Sequence, residues 1–386
     1  MPWLETEPML ERVKFISAYH NNEEASFQEL CERFHISRKT GYKYLHRFEE
    51  NGVDGLKDLS RARIHQENRV SLLVEDNILE VKARYPHWGA KKIKNWLMQE
   101  RGDVTWPARS TIDELLKRHG LVKKAKRNRR VTSYQQPLAL CNEPNDSWSI
   151  DYKGQFQLGN EELCYPFTVT DNFSRYLLAV EGFPRIATKN VKDTLTQLFL
   201  DCGLPQAIRS DNGSPFASTA IGGLSDLSVW LIKLGIIPER ITKGRPQENG
   251  RHERMHLTLK KETASPPMKN PKTQQRRFDE FRREFNEDRP HEGIEFNRPA
   301  WLYKPSERTF PSKIAAVEYS DQFEKTRKVR TNGTIKWEGK CIYISETLKG
   351  EPIAMKPHSE DEWVLYFSFM PLAIFNERTL KVSKLC

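Results

Sequence analysis

The sequence predicts a multidomain protein with an all-α N-terminal part, a mixed α/β core and a C-terminal module of short strands. Three observations support this. Up to about residue 122, apolar residues repeat at helical spacing behind serine caps. Strand patterns alternate with helix patterns over residues 144–308, and short strands separated by turn residues follow from about residue 320. A chain of 386 residues has room for several such domains.

The composition is that of a soluble, basic protein. Lys and Arg number 62 against 52 Asp and Glu, a formal net charge of +10, and the mean hydropathy is −0.72. A basic balance favours polyanionic partners. The six cysteines include no CxxC pair, which argues for free thiols in a reducing compartment. Without a signal-peptide pattern or an apolar run of about 18 residues, we expect a cytoplasmic protein with no membrane partner.

Residues 1–58 are predicted to form a helix-turn-helix DNA-binding domain. Ser26 and Ser37 can cap its second and third helices, and His35 lies in the turn between them, where glycine is frequent. A plain three-helix bundle with a solvated basic face is the alternative. As a DNA-binding domain, its last helix would offer the major groove a set of basic and polar side chains: Arg38, Lys39, Thr40 and Lys43.

A second domain of similar design, also DNA-binding, is predicted over residues 59–122, behind a linker rich in Gly, Asp and Arg. Ser110 is expected to cap its last helix and Gly120 to end it. Arg109 and Ser110, at the start of that helix, are candidate DNA contacts. We interpret Trp88 and Trp96 as anchors of the hydrophobic core.

Residues 123–143 form a basic linker that begins KKAKRNRR. Between two DNA-facing domains, such a segment is expected to follow phosphates. A solvated charge run is the alternative interpretation. The basic side chains concerned are Lys123, Lys124, Lys126, Arg127, Arg129 and Arg130.

Three acidic residues lie where regular elements would hold them rigidly. Asp151 ends the alternating stretch SWSID, Asp211 follows the strand-like LPQAIRS, and Glu253 lies on a helix that Pro246 can start. Carboxylates without matching His or Cys ligands suit a hard cation such as Mg²⁺, for which Mn²⁺ substitutes. Two such ions about 4 Å apart can hold both the attacking and the leaving oxygen of a phosphodiester. We therefore expect these three residues to be catalytic ligands of two ions.

The segments around the three acids resemble those of the Asp-Asp-Glu transposases and retroviral integrases. The matching strings are SIDYKG, RSDNGSPF and PQENGRHERMHLTLKK, and NEDRPHEGIEFNRPAWLYKPSER at 286–308 is similar to the end of the catalytic region in bacterial insertion-sequence transposases. The resemblance covers roughly residues 144–308 and implies a ribonuclease H-like fold for that core. Lys260 falls where the family has a basic residue, which implies a DNA contact; an ordinary exposed lysine is the alternative.

The third acid has a competitor in Glu248, which fits the spacing of retroviral integrases better. On a helix, Glu248 and Glu253 point roughly 140° apart, so they cannot both face one site. Glu253 follows the Gly250 of the family motif, so we prefer it and interpret Glu248 as a first-turn acid. Asp171 is interpreted as a turn residue bonded to local backbone, and His252 and His256 as packing or surface residues.

The resemblance implies a DNA transposase that recognises the terminal repeats of a mobile element, cleaves 3′ ends and joins them to target DNA. Its partners would be double-stranded DNA and further copies of the same chain in the DNA-end complex, at the nucleoid of a bacterium. Two alternatives remain open from the residues: a catalytically silent DNA-binding regulator derived from a transposase, and a metal-dependent DNA nuclease.

Residues 309–386 are predicted to form a small β-barrel. Short strand patterns fill this region, and NG at 332–333 and KGE at 349–351 are typical of hairpin turns.

Overall fold

The computed structural model describes residues 7–22, 26–59, 70–122, 141–213, 215–216, 221–241 and 250–385. The chain divides between residues 69 and 70 into two compact units, each described by itself below. The basic run of residues 123–130 and Glu248 lie outside the described residues. Within the described ranges, no helix is long and apolar enough to cross a membrane. The bounds of the five predicted segments stay predictions.

The first unit is a three-helix bundle with a helix-turn-helix layout. The side chains of Ser26 and Ser37 each accept a backbone N–H three residues on, at 3.2 Å, which confirms both caps. His35 adopts φ 53° in the turn, a left-handed conformation that explains why glycine is frequent there. The helices are α1 (Pro8–His20), α2 (Phe27–Arg33) and α3 (Arg38–Asn51).

The second unit opens with three more helices: α4 (Leu72–Arg84), α5 (Ala90–Glu100) and α6 (Arg109–Arg118). Trp88 and Trp96 are buried among them, as predicted. Gly120 ends α6 in the left-handed conformation, at φ 69°. The predicted cap at Ser110 is wrong. Helix α6 begins at Arg109, behind Ala108, which makes no side-chain capping bond, so Ser110 lies inside the first turn.

Helix α5 of this helical part forms polar contacts with the end of the α/β core. Arg298 forms an ion pair with Glu100, and the Gln99 amide donates a hydrogen bond to the backbone oxygen of Phe296 at 2.7 Å. Lys91 pairs with Glu292 and lies over the ring of Phe296. The last part of the catalytic region therefore holds α5 in place.

The core contains one six-stranded sheet. Strand β1 is antiparallel to β3 and parallel to β5; β4 and β2 pair with β3, and β6 extends the sheet beyond β5 in parallel. This order confirms the ribonuclease H-like core that the resemblance implied. The strands are β1 (Ser147–Tyr152), β2 (Phe156–Gln157), β3 (Leu163–Asp171), β4 (Leu177–Phe183), β5 (Ala207–Ser210) and β6 (Ile237–Arg240).

Helices cover the sheet on both faces, and each face has its own apolar cluster. The helices are α7 (Thr188–Cys202), α8 (Asp226–Lys233), α9 (Gly250–Thr263), α10 (Pro271–Arg283) and the short α11 (Pro299–Leu302). Trp148 and Ile150 of β1 pack with α7 and α8, while α9 and α10 pack against β3 and β4 on the other side. Successive side chains of a strand alternate between faces, so Ser149 and Asp151 point to the α9 side.

The C-terminal strands form two open sheets, so the predicted small barrel is not confirmed. One sheet has the order β13-β12-β11-β10-β7 and the other pairs β8 with β9. Neither predicted hairpin turn joins paired strands: NG connects β7 to β8, and KGE connects β9 to β10. The strands are β7 (Lys325–Lys328), β8 (Thr334–Trp337), β9 (Lys340–Tyr343), β10 (Pro352–Ser359), β11 (Glu362–Phe367), β12 (Met370–Asn376) and β13 (Lys381–Ser383).

The C-terminal sheets share a core with α8. Leu224, Val229 and Ile232 are buried in the same apolar cluster as the inner faces of β8–β12, and Lys233 pairs with Glu351 at 2.7 Å. Helix α8 is thus apolar on two sides, one toward the central sheet and one toward the C-terminal strands.

Candidate active site

Asp151 occupies the middle of the candidate site. It lies on β1, the strand between the antiparallel and the parallel part of the sheet, and its side chain is 19 % exposed. Burial, together with the negative charges of Asp211 and Glu253, raises the pKa of this carboxyl to about 7. Both of the other predicted acids therefore act electrostatically on Asp151, although the three come from distant segments.

Asp211 and Glu253 approach from two different elements. Asp211 directly follows β5, the parallel neighbour of β1, and its Oδ1 accepts the backbone N–H of Gly213 at 3.0 Å. The carboxyl end of a parallel strand is a usual place for a functional side chain. Glu253 lies exposed in the first turn of α9.

Two histidines, which the sequence analysis interpreted as packing or surface residues, also lie at this site. His252 and His256 are 3 % and 4 % exposed, and their rings stand edge to face with centroids 4.5 Å apart. Together with Asp151 they form a group whose ligand atoms lie within 4.8 Å of one another. Burial lowers the pKa of His252 to about 3 and, with the charges of His252 and Lys153, that of His256 to about 2, so both rings are neutral at pH 7. His252 and His256 are four residues apart on the helix of Glu253, which places them on one helical face. This spacing is the sequence signal that could have identified them.

Asp171, at the end of β3, is a structural residue. It is 1 % exposed. Its carboxylate accepts the N–H of Asn145 at 2.8 Å, the N–H of Ser174 at 2.7 Å and the Ser174 hydroxyl at 2.6 Å. These bonds to neighbouring backbone confirm the interpretation of Asp171 as a turn residue.

The predicted DNA contacts that lie within the described residues are on three helices. Those on α3 and α6 are on helices of the two helix-turn-helix parts, and Lys260 is exposed on α9, two turns beyond Glu253. Thr40 is only partly exposed, and its hydroxyl pairs with that of Ser37 at 2.9 Å. The exposed members on α3 and α6 are Arg38, Lys39, Lys43, Arg109 and Ser110.

Models of known protein families match most of the chain in overlapping pieces. An integrase core domain matches residues 142–246, and a second integrase core domain model matches residues 234–299. A helix-turn-helix domain matches residues 11–64, and a homeodomain-like domain matches residues 40–116.

Relatives of the chain are encoded by bacterial insertion elements. It is 24 % identical over 250 residues to an uncharacterised 31.7 kDa protein of insertion element IS407 from Burkholderia multivorans, covering 64 % of this chain and 87 % of that protein. It is 29 % identical over 171 residues to an uncharacterised 39.2 kDa protein of insertion element IS476 from Xanthomonas euvesicatoria, covering 44 % of this chain and 47 % of that protein.

A similar solved structure is a chain of a simian T-cell lymphotropic virus intasome in complex with the PP2A regulatory subunit B56 gamma. The match has 16 % identity and a TM-score of 0.39, and it covers 80 % of this chain and 99 % of that chain. By these matches, the chain has an integrase core domain behind helix-turn-helix domains, and it is similar to proteins of bacterial insertion elements.

Proposed function

We propose that this protein is a DNA transposase that cuts the 3′ ends of its own mobile element and joins them to target DNA by metal-dependent phosphoryl transfer. The observation that carries the proposal is geometric: Asp151 lies on β1 and Asp211 directly follows β5, the strand that pairs with β1 in parallel, while Glu253 lies in the first turn of α9. The raised pKa of the Asp151 carboxyl, caused by burial and by the charges of Asp211 and Glu253, supports it. Such a perturbed carboxylate cluster on rigid supports is a feature of catalytic sites.

The donor set fits magnesium or manganese. Carboxylate oxygens are the ligands these ions prefer, and a divalent cation would relieve the repulsion that raises the pKa of Asp151. Asp151, Asp211 and Glu253 would hold the metal. Two bound ions would lower the pKa of the attacking water or 3′-hydroxyl and stabilise the leaving oxygen.

The chain's own residues supply position and DNA binding. Strand β1 and the end of β5 are parts of one sheet, so Asp151 and Asp211 are held without a large entropic cost when DNA arrives. The exposed basic residues of α3 and α6 would read the ends of the element, and Lys260 would hold the terminal phosphates beside Glu253. Bringing two DNA ends together requires a second copy of the chain, and the bacterial nucleoid is the place of action that follows from this proposal.

The test uses purified full-length protein, Mg²⁺ or Mn²⁺, and a labelled duplex that carries one end of the mobile element encoding the chain. Nicking of the duplex and joining into a plasmid are scored separately. We expect metal-dependent joining by the wild type and loss of both reactions in Asp211→Asn and Glu253→Gln. Glu248→Gln is the matched control, because it neutralises the competing acid, and it is expected to remain active.

Each other outcome assigns a different activity. DNA binding without cleavage under either metal would make the protein a silent regulator. Cleavage without joining would make it a nuclease. Loss of activity in Glu248→Gln, with Glu253→Gln active, would move the third ligand to Glu248.

A further inference from the structure

The hydroxyl of Thr168 contacts both buried histidines and the backbone of Asp151. Its Oγ1 lies 2.7 Å from His252 Nε2 and 2.7 Å from His256 Nε2, and it donates to the backbone oxygen of Asp151 at 3.2 Å. A hydroxyl has a single proton, and a carbonyl oxygen can only accept. When the proton of Thr168 is on the Asp151 oxygen, both Nε2 atoms carry a proton and donate it to Thr168. Both Nδ1 atoms then present a lone pair.

The two lone pairs have different surroundings. His252 Nδ1 lies 3.1 Å from the hydroxyl of Thr170, which donates to it. His256 Nδ1 instead faces Asp151 Oδ2 at 3.7 Å, which is longer than a hydrogen bond. The same distance is shorter than about 4.2 Å, the sum of typical metal–nitrogen and metal–oxygen bond lengths. His256 Nδ1 and Asp151 Oδ2 are therefore placed as two ligands of one ion would be.

We propose that His256 is a nitrogen ligand of the cation that Asp151 binds, and that it shifts the preference of the site from Mg²⁺ toward Mn²⁺. The inference rests on the proposed function for the presence of a cation. Mg²⁺ strongly favours oxygen donors, whereas Mn²⁺, a first-row transition metal ion, accepts an imidazole nitrogen more readily than Mg²⁺ does. His252 is a positioning residue, because both of its nitrogens are used on Thr168 and Thr170 and its ring packs edge-on against that of His256.

The arrangement also explains why a buried imidazole is present beside the carboxylates. Helix α9 carries His252 and His256 four residues apart on its buried side, while Glu253 is exposed on the same helix. The β3 hydroxyls orient both rings, as hydrogen-bond partners behind a metal ligand commonly do. One turn of α9 thus supplies an oxygen and a nitrogen donor to the same region of the sheet.

The test measures Mn²⁺ bound to tag-free full-length protein by electron spin echo envelope modulation, which detects a directly bound nitrogen. We expect a ¹⁴N coupling in the wild type that changes to a ¹⁵N pattern when histidine is ¹⁵N-labelled. His256→Gln should abolish it, because the amide keeps the donor to Thr168 and removes the Nδ1 lone pair. His252→Gln is the matched control and should keep the coupling. The Kd for Mn²⁺ should rise on the order of tenfold in His256→Gln, with a smaller change for Mg²⁺.

Asp151→Asn separates the two proposals. Suppose that Asp151→Asn loses manganese binding, while manganese bound to the wild type shows no nitrogen coupling. This result would overturn the role of His256 and leave the transposase proposal standing, and it does not depend on the folding of a histidine variant. A nitrogen coupling that persists in His256→Gln and disappears in His252→Gln also overturns the role of His256 as the ligand. Manganese binding that Asp151→Asn leaves unchanged overturns both proposals.

Discussion

Arg289 and Glu262 form an ion pair that is almost completely buried. The Nη1–Oε1 distance is 2.9 Å, and the two side chains are 7 % and 8 % exposed. Glu262 lies near the end of α9, the helix that carries Glu253, while Arg289 follows α10. The ion pair thus connects the end of the core to the helix of the third acid.

Breaking this pair from one side is predicted to be costly. Arg289→Met leaves the Glu262 carboxylate buried without its partner and should lower the free energy of unfolding by about 3–5 kcal/mol. Chemical denaturation measures the change. The control is the double variant Arg289→Met with Glu262→Met, which should lose less than the single variant because no charge is left unpaired. A double variant that loses the sum of both single effects would contradict the pairing.

Glu284 is predicted to make stability depend on pH. Burial, helped by the charge of Glu262, raises the pKa of this carboxyl from 4.5 to about 7. Because the folded pKa lies above the unfolded one, its contribution to stability is complete below pH 4.5 and is lost as pH rises through 7. Relative to Glu284→Gln, the wild type should therefore lose stability between pH 4.5 and 7.5. Thermal denaturation of both proteins across this range is the measurement, and parallel pH profiles would contradict the prediction.

Lys39 is predicted to bind a DNA phosphate. It is exposed on α3, in the first turn of the presumed recognition helix. In Lys39→Gln the affinity for an element-end duplex should fall, and the slope of log K against log salt should decrease in magnitude by about 1. Lys14→Gln is the control: Lys14 is equally exposed on α1 but pairs with Glu11 at 3.0 Å. A slope that changes equally in both variants would indicate an effect of total positive charge and would contradict a specific phosphate contact of Lys39.

The C-terminal sheets are predicted to be needed for a soluble core. A chain that ends at residue 316 keeps Phe310 and Ile314 against the central core but exposes the second apolar side of α8, including Val229 and Ile232. We expect this truncated chain to associate, as seen by size-exclusion chromatography with light scattering. Adding Val229→Ser and Ile232→Ser should restore a single species. A truncated chain that is already monodisperse would contradict the prediction that the C-terminal sheets cover an apolar surface of α8.

Local patterns in the sequence predicted most of the elements. The alternation of SWSIDY identified β1, and the serines at 26 and 37 identified two helix starts. Ser110 misled because a serine in the first turn has the same local pattern as a capping serine. NG misled because a turn signal does not say which strands pair: β7 pairs with β10, and β8 with β9.

The sequence by itself determined the helix-turn-helix parts, the order of elements in the core and the family to which its acidic segments belong, because caps, periodicity and motifs are local. Only the tertiary structure decided what meets across long separations. It brings His256 of α9 to Asp151 of β1 and Thr168 of β3, and it buries α8 between two sets of strands. These contacts depend on sheet register and helix packing, which are set by the sum of many distant contacts and leave no short motif in the chain.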